Sequence, residues 1–311
     1  MIKILIDNGR FVFEPNVVGE IICESYHRNR GSRIAFNILD SSDFEINEGN
    51  SVSVMINGVG LFFGVVFTVK RDSEGVVNVT AYDQLRYLKN KDTYVYTQKR
   101  ASDLVKMIAG DYRLKYHKIR ETEYVIPSRV EDNVTLLDMI ENALDLELQH
   151  TGNRFVFFDN FGKLSLYRNI EMFSGVIIDN DTCGEYRYYS SIDNRFNRVK
   201  LSRADRKSGR RETFIASDKV SENELGMLQY YSRVSPDENG SEKARSLLAL
   251  HNKTARTLYV NNAFGDVSVR GGSGVVVKLD CFSGNARVNR CVHKLSSGTH
   301  FMDLELETVD N

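Results

Sequence analysis

The side chains best suited to bind a metal ion or to act as nucleophiles are the six histidines and four cysteines of this 311-residue chain. No two histidines stand at the H-x-H or H-x-x-x-H spacing that would bring two imidazoles to one metal ion. The cysteines form no C-x-x-C pair and are scattered along the sequence, so we expect them to be reduced packing residues. These patterns predict neither a metal site nor a cofactor site.

Other catalytic patterns are equally weak. The segment 270–274 (Arg-Gly-Gly-Ser-Gly) lacks the lysine and the following helix of a phosphate-binding loop, so a turn between strands is favoured. Asp145 with Glu147, or Glu121 with Glu123, could in principle act as the paired carboxylates of a glycosidase, but we expect them on or beside ordinary solvated elements. The sequence therefore predicts a protein with no catalytic residue, which is not an enzyme.

The charge balance restricts the possible partners. The chain has 41 basic and 42 acidic residues, so it lacks the basic footprint of a nucleic-acid-binding domain and is unsuited to electrostatic binding at a membrane surface. No apolar run approaches the roughly 20 residues that cross a bilayer, and Met1–Asp7 is too short and too alternating for a signal peptide. We expect no sequence-specific binding of nucleic acid, no membrane insertion, and folding in a cytoplasm.

The elements that must position any functional side chain are mainly strands. Short alternating segments separated by turn clusters predict a first third rich in β-structure, and their regular spacing is typical of a barrel or a sandwich. The predicted strands are Lys3–Ile6, Val17–Tyr26, Arg33–Leu39, Ser51–Ile56, Leu61–Lys70 and Val76–Tyr82.

The middle of the chain differs because apolar residues recur there at helical spacing. Helices are predicted at Ser102–Ala109 and at Asn133–Leu144, the second with Asn133 or Thr135 as its cap. A hairpin with a glycine-containing loop is predicted between Arg154 and Tyr167. Together these elements indicate an α+β module.

The last third is β-like again, with one helix predicted at Ser241–Leu250 and Ser241 as its cap. We therefore predict a fold that is mainly β with α+β, in which two β-barrel domains flank a smaller α+β module. The predicted domains are 1–96, 97–180 and 181–311, the last with the helix as an insertion.

An internal repeat supports two domains of similar build. A shift of 223 positions (275 minus 52) aligns residues 49–75 with 272–298, and seven of the 27 aligned pairs are identical, including Gly75 with Gly298. Both copies read as strand, tight turn, strand and a charged turn whose glycine can take a positive φ. After that glycine both copies enter an alternating strand, the second after a delay of two residues.

The most structured segment of the sequence is the corner after the predicted strand Val76–Tyr82. Asp83 is well placed to cap a short helical turn, Leu85 and Leu88 would pin that turn to the core, and Arg86 would stay in solvent or meet a neighbouring subunit. The candidates for a structural corner or an interface are Tyr82, Asp83, Leu85, Arg86, Tyr87 and Leu88.

Tyrosines are frequent around this corner and again near residue 188. Tyrosine packs well yet tolerates water, so these side chains could form an interface belt or could flank a core, and the sequence does not separate the two. The tyrosines concerned are Tyr82, Tyr87, Tyr94, Tyr96, Tyr186, Tyr188 and Tyr189.

The segment 79–92 (Val-Thr-Ala-Tyr-Asp-Gln-Leu-Arg-Tyr-Leu-Lys-Asn-Lys-Asp) resembles a signature of the XkdQ/YqbQ-like baseplate hub proteins of contractile phage tails, defective prophages and R-type bacteriocins, including diffocin-like particles. The resemblance implies a structural protein with two tail-tube-like β-barrel domains per subunit. It also implies a homotrimer at the distal end of the tail, where pseudo-sixfold symmetry would meet the hexameric tail tube and threefold symmetry would meet the spike.

The same resemblance implies a set of partners. They are the tail tube protein, the central spike protein, the tape measure protein and other baseplate proteins. The protein would be assembled in the bacterial cytoplasm and would then reside in the baseplate of the tail or tail-like particle. The alternative from another class is a tail-associated peptidoglycan hydrolase or a cell-wall carbohydrate-binding module.

Overall fold

The computed structural model describes residues 1–40, 45–204, 211–235 and 238–308, and most of its elements are strands. The strands are β1 (Ile2–Asp7), β2 (Val12–Phe13), β3 (Val17–Tyr26), β4 (Arg33–Leu39), β5 (Ser51–Ile56), β6 (Val59–Arg71), β7 (Val76–Tyr82), β8 (Lys91–Lys99), β9 (Tyr116–Ile119), β10 (Ile126–Thr135), β11 (Phe155–Asp159), β12 (Leu164–Arg168), β13 (Phe173–Asp179), β14 (Glu185–Ser191), β15 (Arg198–Ala204), β16 (Arg211–Ser217), β17 (Gln229–Arg233), β18 (Ala255–Phe264), β19 (Gly274–Leu279), β20 (Phe282–Ser296) and β21 (Thr299–Thr308). The helices are α1 (Ala101–Asp111), α2 (Leu136–Thr151), α3 (Lys219–Leu225) and α4 (Gly240–His251), with short 3-10 helices at Gln84–Lys89 and Asn169–Met172.

Strands of both β regions join in one 13-stranded sheet. Its order is β14-β18-β21-β20-β3-β4-β7-β6-β5-β1-β2, and β19 pairs with β20 while β13 pairs with β19. Two sets of six strands with matching neighbours make up nearly all of this sheet. We call β3-β4-β7-β6-β5-β1 the first set and β14-β18-β21-β20-β19-β13 the second set. They differ in their last pair, which is antiparallel in the first set and parallel in the second.

The predicted internal repeat is confirmed in the backbone of the two sets. Gly49, with φ of 91°, donates its N–H to the carbonyl of Val66 at 2.9 Å. Gly272, with φ of 93°, donates its N–H to the carbonyl of Val288 at 2.7 Å. A side chain at either glycine would be strained because residues with a Cβ rarely adopt such a φ, so both copies have the same backbone requirement.

Further along, the copies also share a bulge and a turn. The pairing of β6 with β7 changes register at Phe67, and the pairing of β20 with β21 changes register at Asn289. The turn glycines Gly75 and Gly298 have φ of 79° and 80°. The repeat is therefore one of hydrogen-bond pattern as well as of residue type, although the bonded carbonyls (288 minus 66) and the bulges (289 minus 67) lie 222 rather than 223 positions apart.

The two sets are joined where β3 pairs antiparallel with the second half of β20, from Arg290 opposite Tyr26 to Leu295 opposite Ile21. The first half of β20 pairs with β19, and β21 occupies its other edge. An ion pair of 2.9 Å between Arg290 and Glu24 lies on this junction. We refer to this pairing as the β20–β3 junction.

The expectation of a mainly β fold with an α+β module is confirmed. Two separate closed barrels are not found, since the described strands close into no barrel and the two sets share a sheet. The physical reason is the length of β20, whose 15 residues are enough for two partners along one edge.

The predicted module also forms. Helix α1 covers the predicted Ser102–Ala109, and β11 and β12 form the predicted hairpin. Helix α2 starts at Leu136 rather than at Asn133 and ends at Thr151, beyond the predicted end at Leu144. The hydroxyl of Thr135 accepts the N–H of Asp138 at 3.2 Å, which confirms Thr135 as the cap of α2. Ser241 as the cap of α4 is wrong, because Asn239 accepts the N–H of Glu242 and starts the helix at Gly240.

Chain contacts define two compact units. The first comprises residues 1–147, 153–188 and 258–311, and the second comprises 148–152 and 189–257. The second unit holds the sheet β16-β15-β17 with α4 packed on it, and α3, which the sequence did not predict, is capped by Asp218. The three-domain division at 1–96, 97–180 and 181–311 stays a prediction.

Candidate functional site: the corner after β7

Asp83 begins the corner in the way the sequence predicts. Its carboxylate accepts the N–H of Leu85 at 3.0 Å and so caps the 3-10 helix Gln84–Lys89. The same carboxylate accepts the N–H of Ser32 at 2.7 Å from the segment before β4. A Cβ at Gly31 would collide with this carboxylate. Asp83 therefore ties the end of β7 to the start of β4.

Leu85 and Leu88 hold the corner to the α+β module. Leu85 is 4% exposed and Leu88 is fully buried. They pack in a core formed by α1, α2 and the neighbouring strands rather than in the core of the first set. Burying two leucine side chains contributes about 3 to 6 kcal/mol relative to leaving them in water. The corner is thus the mechanical link between the first set and the module.

The other three candidates surround one ring of β6. Tyr82 packs edge-on against Phe67 at 5.5 Å between ring centroids, and Tyr87 lies 5.8 Å from the same ring. The guanidinium of Arg86 lies 5.3 Å from the Phe67 centroid, which is a cation–π distance. These contacts fix the bulged residue of β6 on a partly exposed surface.

A buried charge cluster lies beneath the corner. Asp83 comes from the corner, Asp159 from the end of β11 and Arg270 from the loop before β19. These buried charges interact with one another, so the cluster draws on three separate regions of the chain. The guanidinium of Arg270 lies 4.2 Å from the ring centroid of Phe158. Asp159 accepts the side-chain N–H of Gln84 at 2.9 Å. No spacing in the sequence indicated that Arg270 would serve this cluster.

The two carboxylates are unusual acids. Burial, reinforced by the negative charge of Asp159, raises the pKa of Asp83 to about 7, while the hydrogen bonds from Ser32 and the charge of Arg270 act in the opposite direction. Burial also raises the pKa of Asp159. The pKa of Arg270 is lowered by its burial, and the two carboxylates oppose that change. The cluster therefore couples the protonation of Asp83 to the packing of three regions.

Two of the carboxylates considered for glycosidase chemistry, Asp145 and Glu147, make structural contacts. Glu147 is buried rather than solvated, which corrects the expectation, and it accepts the backbone N–H groups of Glu123 and Tyr124. Asp145 pairs with Arg28 at 2.6 Å. Backbone amides that donate to a buried carboxylate stabilise the loop that carries them.

Two histidines whose spacing in the sequence predicted no shared site lie close together in the second set. His293 and His300 face each other across β20 and β21, with Nδ1 and Nε2 2.8 Å apart. Burial lowers the pKa of His293 to about 3. Within the described residues no group of three or more histidine, cysteine or acidic side chains is arranged to hold a metal ion. Also within that part of the chain, no helix is both long and apolar enough to span a membrane.

The tyrosines divide into two kinds. Tyr94 and Tyr96 are buried in the module core, and the hydroxyl of Tyr94 donates to Asp111 at 2.6 Å. Tyr188 and Tyr189 on β14 are 37% and 57% exposed. The first pair flanks a core, whereas the second pair is available to a partner.

The sequence model of the YQBQ-like family matches residues 23–307, which include the corner and most of both sets of strands, while β1 and the start of β3 precede the matched range. The chain belongs to the YQBQ-like family. Among its relatives, the "Uncharacterized protein YqbQ" of Bacillus subtilis is 29% identical over 273 residues, covering 85% of this chain and 83% of that protein. The "Phage-like element PBSX protein XkdQ" of the same organism is 30% identical over 246 residues, covering 77% and 75%.

Solved structures show that this YQBQ-like chain has the fold of prophage tail proteins. The 43 kDa tail protein of prophage MuSo2 from Shewanella oneidensis superposes with a TM-score of 0.72 at 12% identity over 98% of both chains. The tail protein from Neisseria meningitidis MC58 superposes with a TM-score of 0.69 at 14% identity, covering 99% of this chain and 96% of that one. The resemblance carried by residues 79–92 is therefore confirmed at the level of the family.

Proposed function

We propose that this protein is a structural hub subunit in the baseplate of a phage tail or tail-like particle, and not an enzyme. Three observations support the coarse role. The chain belongs to the YQBQ-like family, a relative that is 30% identical belongs to a phage-like element, and the fold matches prophage tail proteins.

The observation that carries the finer role is the internal repeat. One chain holds two six-stranded sets with the same strand order, the same bulge and the same turn glycines. A homotrimer of such chains would present six similar sets around one axis and would still have threefold symmetry as a whole. We propose that the trimer uses the first property towards a hexameric tail tube and the second towards a central spike.

The proposal also assigns the surroundings. The protein would be made in the bacterial cytoplasm and would then lie at the tip of the tail tube, next to the tail tube protein, the spike protein, the tape measure protein and other baseplate proteins. The corner after β7 would hold each first set rigidly on its module, so that the ring keeps its shape under load.

Two measurements test this function. Light scattering on the purified protein should give three times the 35.5 kDa subunit mass, and a strictly monomeric species at high concentration would count against the hub role. Electron microscopy of particles that carry a tagged subunit should place the tag at the tip of the tube. A zymogram on bacterial cell walls should show no clearing, whereas clearing that depends on one acidic residue would favour the hydrolase alternative.

A further inference from the structure

Two strand edges of the sheet lack a partner strand among the described residues. The first is β14, which ends the order of the sheet. The second is the far half of β6, Thr68–Arg71, which pairs with β7 on one side only. On its other side β6 is covered as far as Val66, which exchanges hydrogen bonds with Gly49 and Asn50.

The chain itself shows what such edges pair with. In the second set, β20 also exchanges hydrogen bonds with the preceding loop at Val288, and then bulges at Asn289. Beyond this bulge its free edge is taken by β3 of the first set, and the carbonyl of Asn289 accepts the N–H of His27 at 2.9 Å. The β20–β3 junction is therefore a pairing between corresponding strands of two different sets.

The two open edges are the counterparts of that junction. β6 corresponds to β20 because both follow the same hydrogen-bonded glycine and bulge, at Phe67 and Asn289. β14 corresponds to β3 because each is the outer neighbour of an equivalent strand, β18 or β4. The carbonyl of Asn16 before β3 accepts the N–H of Leu39, and that of Thr182 before β14 accepts the N–H of Phe264. Each chain thus carries two strand edges, on β14 and on the far half of β6, that correspond to the two strands of the β20–β3 junction but have no partner strand among the described residues.

The second half of β14 has the chemistry of an edge that is covered in the assembly, whereas its first half carries the exposed charges Glu185 and Arg187. Free edges of soluble proteins are usually protected by charged residues, proline or bulges. The segment Tyr188–Ser191 (Tyr-Tyr-Ser-Ser) has no charge and no proline, and Tyr189 is 57% exposed. Tyrosine is enriched at protein interfaces because it adds apolar area while its hydroxyl stays hydrated.

We propose that β14 of one subunit pairs antiparallel with Thr68–Arg71 of β6 in the neighbouring subunit, so that each contact between subunits repeats the β20–β3 junction. The inference rests on the proposed trimer and assigns its interface. Three chains would contribute three internal junctions and three between subunits, and these would alternate around the ring. The occupant of each edge is a second copy of this chain, because the same chain supplies both edges in the relation seen at the internal junction.

A cysteine scan tests the pairing in the full-length protein. Cys183→Ser and Cys281→Ser first remove the two cysteines that are not buried. Val69→Cys is then combined in turn with cysteine at each residue of Tyr188–Ser191, which covers the possible registers and both faces of the strand. Mild oxidation and a non-reducing gel should shift the monomer band to covalent dimer and trimer for at least one combination.

The internal junction supplies a matched positive control. Ser25 lies opposite Cys291, and Cys291 stands two residues after its bulge, as Val69 does in β6. Ser25→Cys should therefore form a disulfide within one chain, detected by mass. The negative control pairs Tyr189→Cys with Val95→Cys, a 67% exposed position on β8, and should leave the monomer band unchanged.

Light scattering on the same variants separates this inference from the proposed function. A trimer in which the scan forms no cross-link, while Ser25→Cys does, would overturn the strand pairing and leave the hub role standing. Absence of the trimer would instead overturn the hub role. Cross-linking confined to combinations with Tyr188–Ser191, in a trimeric protein, supports the pairing.

Discussion

The substitution Asp83→Asn tests whether the buried corner makes stability depend on pH. Burial and the charge of Asp159 raise the pKa of Asp83 to about 7 in the folded protein, whereas the pKa of an aspartate in the unfolded chain is about 3.9. Between these values the folded state holds a proton that the unfolded state has released. Stability from this group is therefore highest at low pH and is lost as the pH rises towards 7.

The size of the effect follows from one proton. A group that binds one more proton in the folded state changes the free energy of unfolding by about 1.4 kcal/mol per pH unit. Between about pH 5 and pH 7 the wild type should lose on the order of 2 to 3 kcal/mol through Asp83, and the loss should level off at higher pH. Asp83→Asn should remove this component. At low pH the variant should be less stable by about 1 to 3 kcal/mol, because the asparagine amide can accept only one of the two backbone N–H groups of Ser32 and Leu85.

The assay is urea unfolding followed by circular dichroism at several pH values and one protein concentration. Asp193→Asn, at an exposed aspartate, serves as the matched control and should follow the wild type. Parallel pH profiles for the wild type and Asp83→Asn would refute the reasoning. Such a result would mean that Asp83 is already ionised at low pH and that Arg270 outweighs burial.

Three further predictions concern the same corner and the repeat. Leu85→Asp places an unpaired charge in the module core and should abolish soluble trimer on size-exclusion chromatography, whereas Leu39→Asp at a 50% exposed site should not. Gly75→Ala, at φ of 79°, should lower the free energy of unfolding by about 1 to 2 kcal/mol, whereas Gly110→Ala inside α1 should raise it by about 0.5 to 1 kcal/mol; urea titrations that give equal effects would contradict this. Arg270→Leu leaves two buried carboxylates without their cation and should cost about 3 to 5 kcal/mol at pH 8 in the same titration, with a smaller cost at pH 5; a pH-independent cost would argue for lost packing alone.

Local structure was largely predictable from the sequence. Four strands, including β3 and β7, begin and end at the predicted residues, because alternation over half-buried strands and the turn residues between them are both local signals. The repeat could also be predicted, since Gly75 and Gly298 occupy corresponding turns that require a positive φ. The cap at Asp83 followed from residue type and position alone.

Long-range structure was not predictable in the same way. The β20–β3 junction joins strands that are distant in the sequence, and nothing in the alternation of β20 shows that one edge serves two partners. The charge cluster was not predicted for a related reason. Asp83, Asp159 and Arg270 are far apart in the sequence, and only the fold brings them together. The cap of α4 was misassigned since Asn239 and Ser241 are both good capping residues and differ only in local geometry.

The β20–β3 junction can form only late in the synthesis of the chain, because β20 lies near its C-terminal end. Arg290 and its partner Glu24 are 266 positions apart, so the inner edge of β3 stays unoccupied while the ribosome makes nearly all of the chain. Contacts of such long range form slowly, and an open edge can meanwhile capture a strand from another nascent chain. Neighbouring ribosomes on one messenger would therefore favour swapped, misassembled products, and slow initiation or a chaperone bound over β3 would raise the yield of correctly closed subunits.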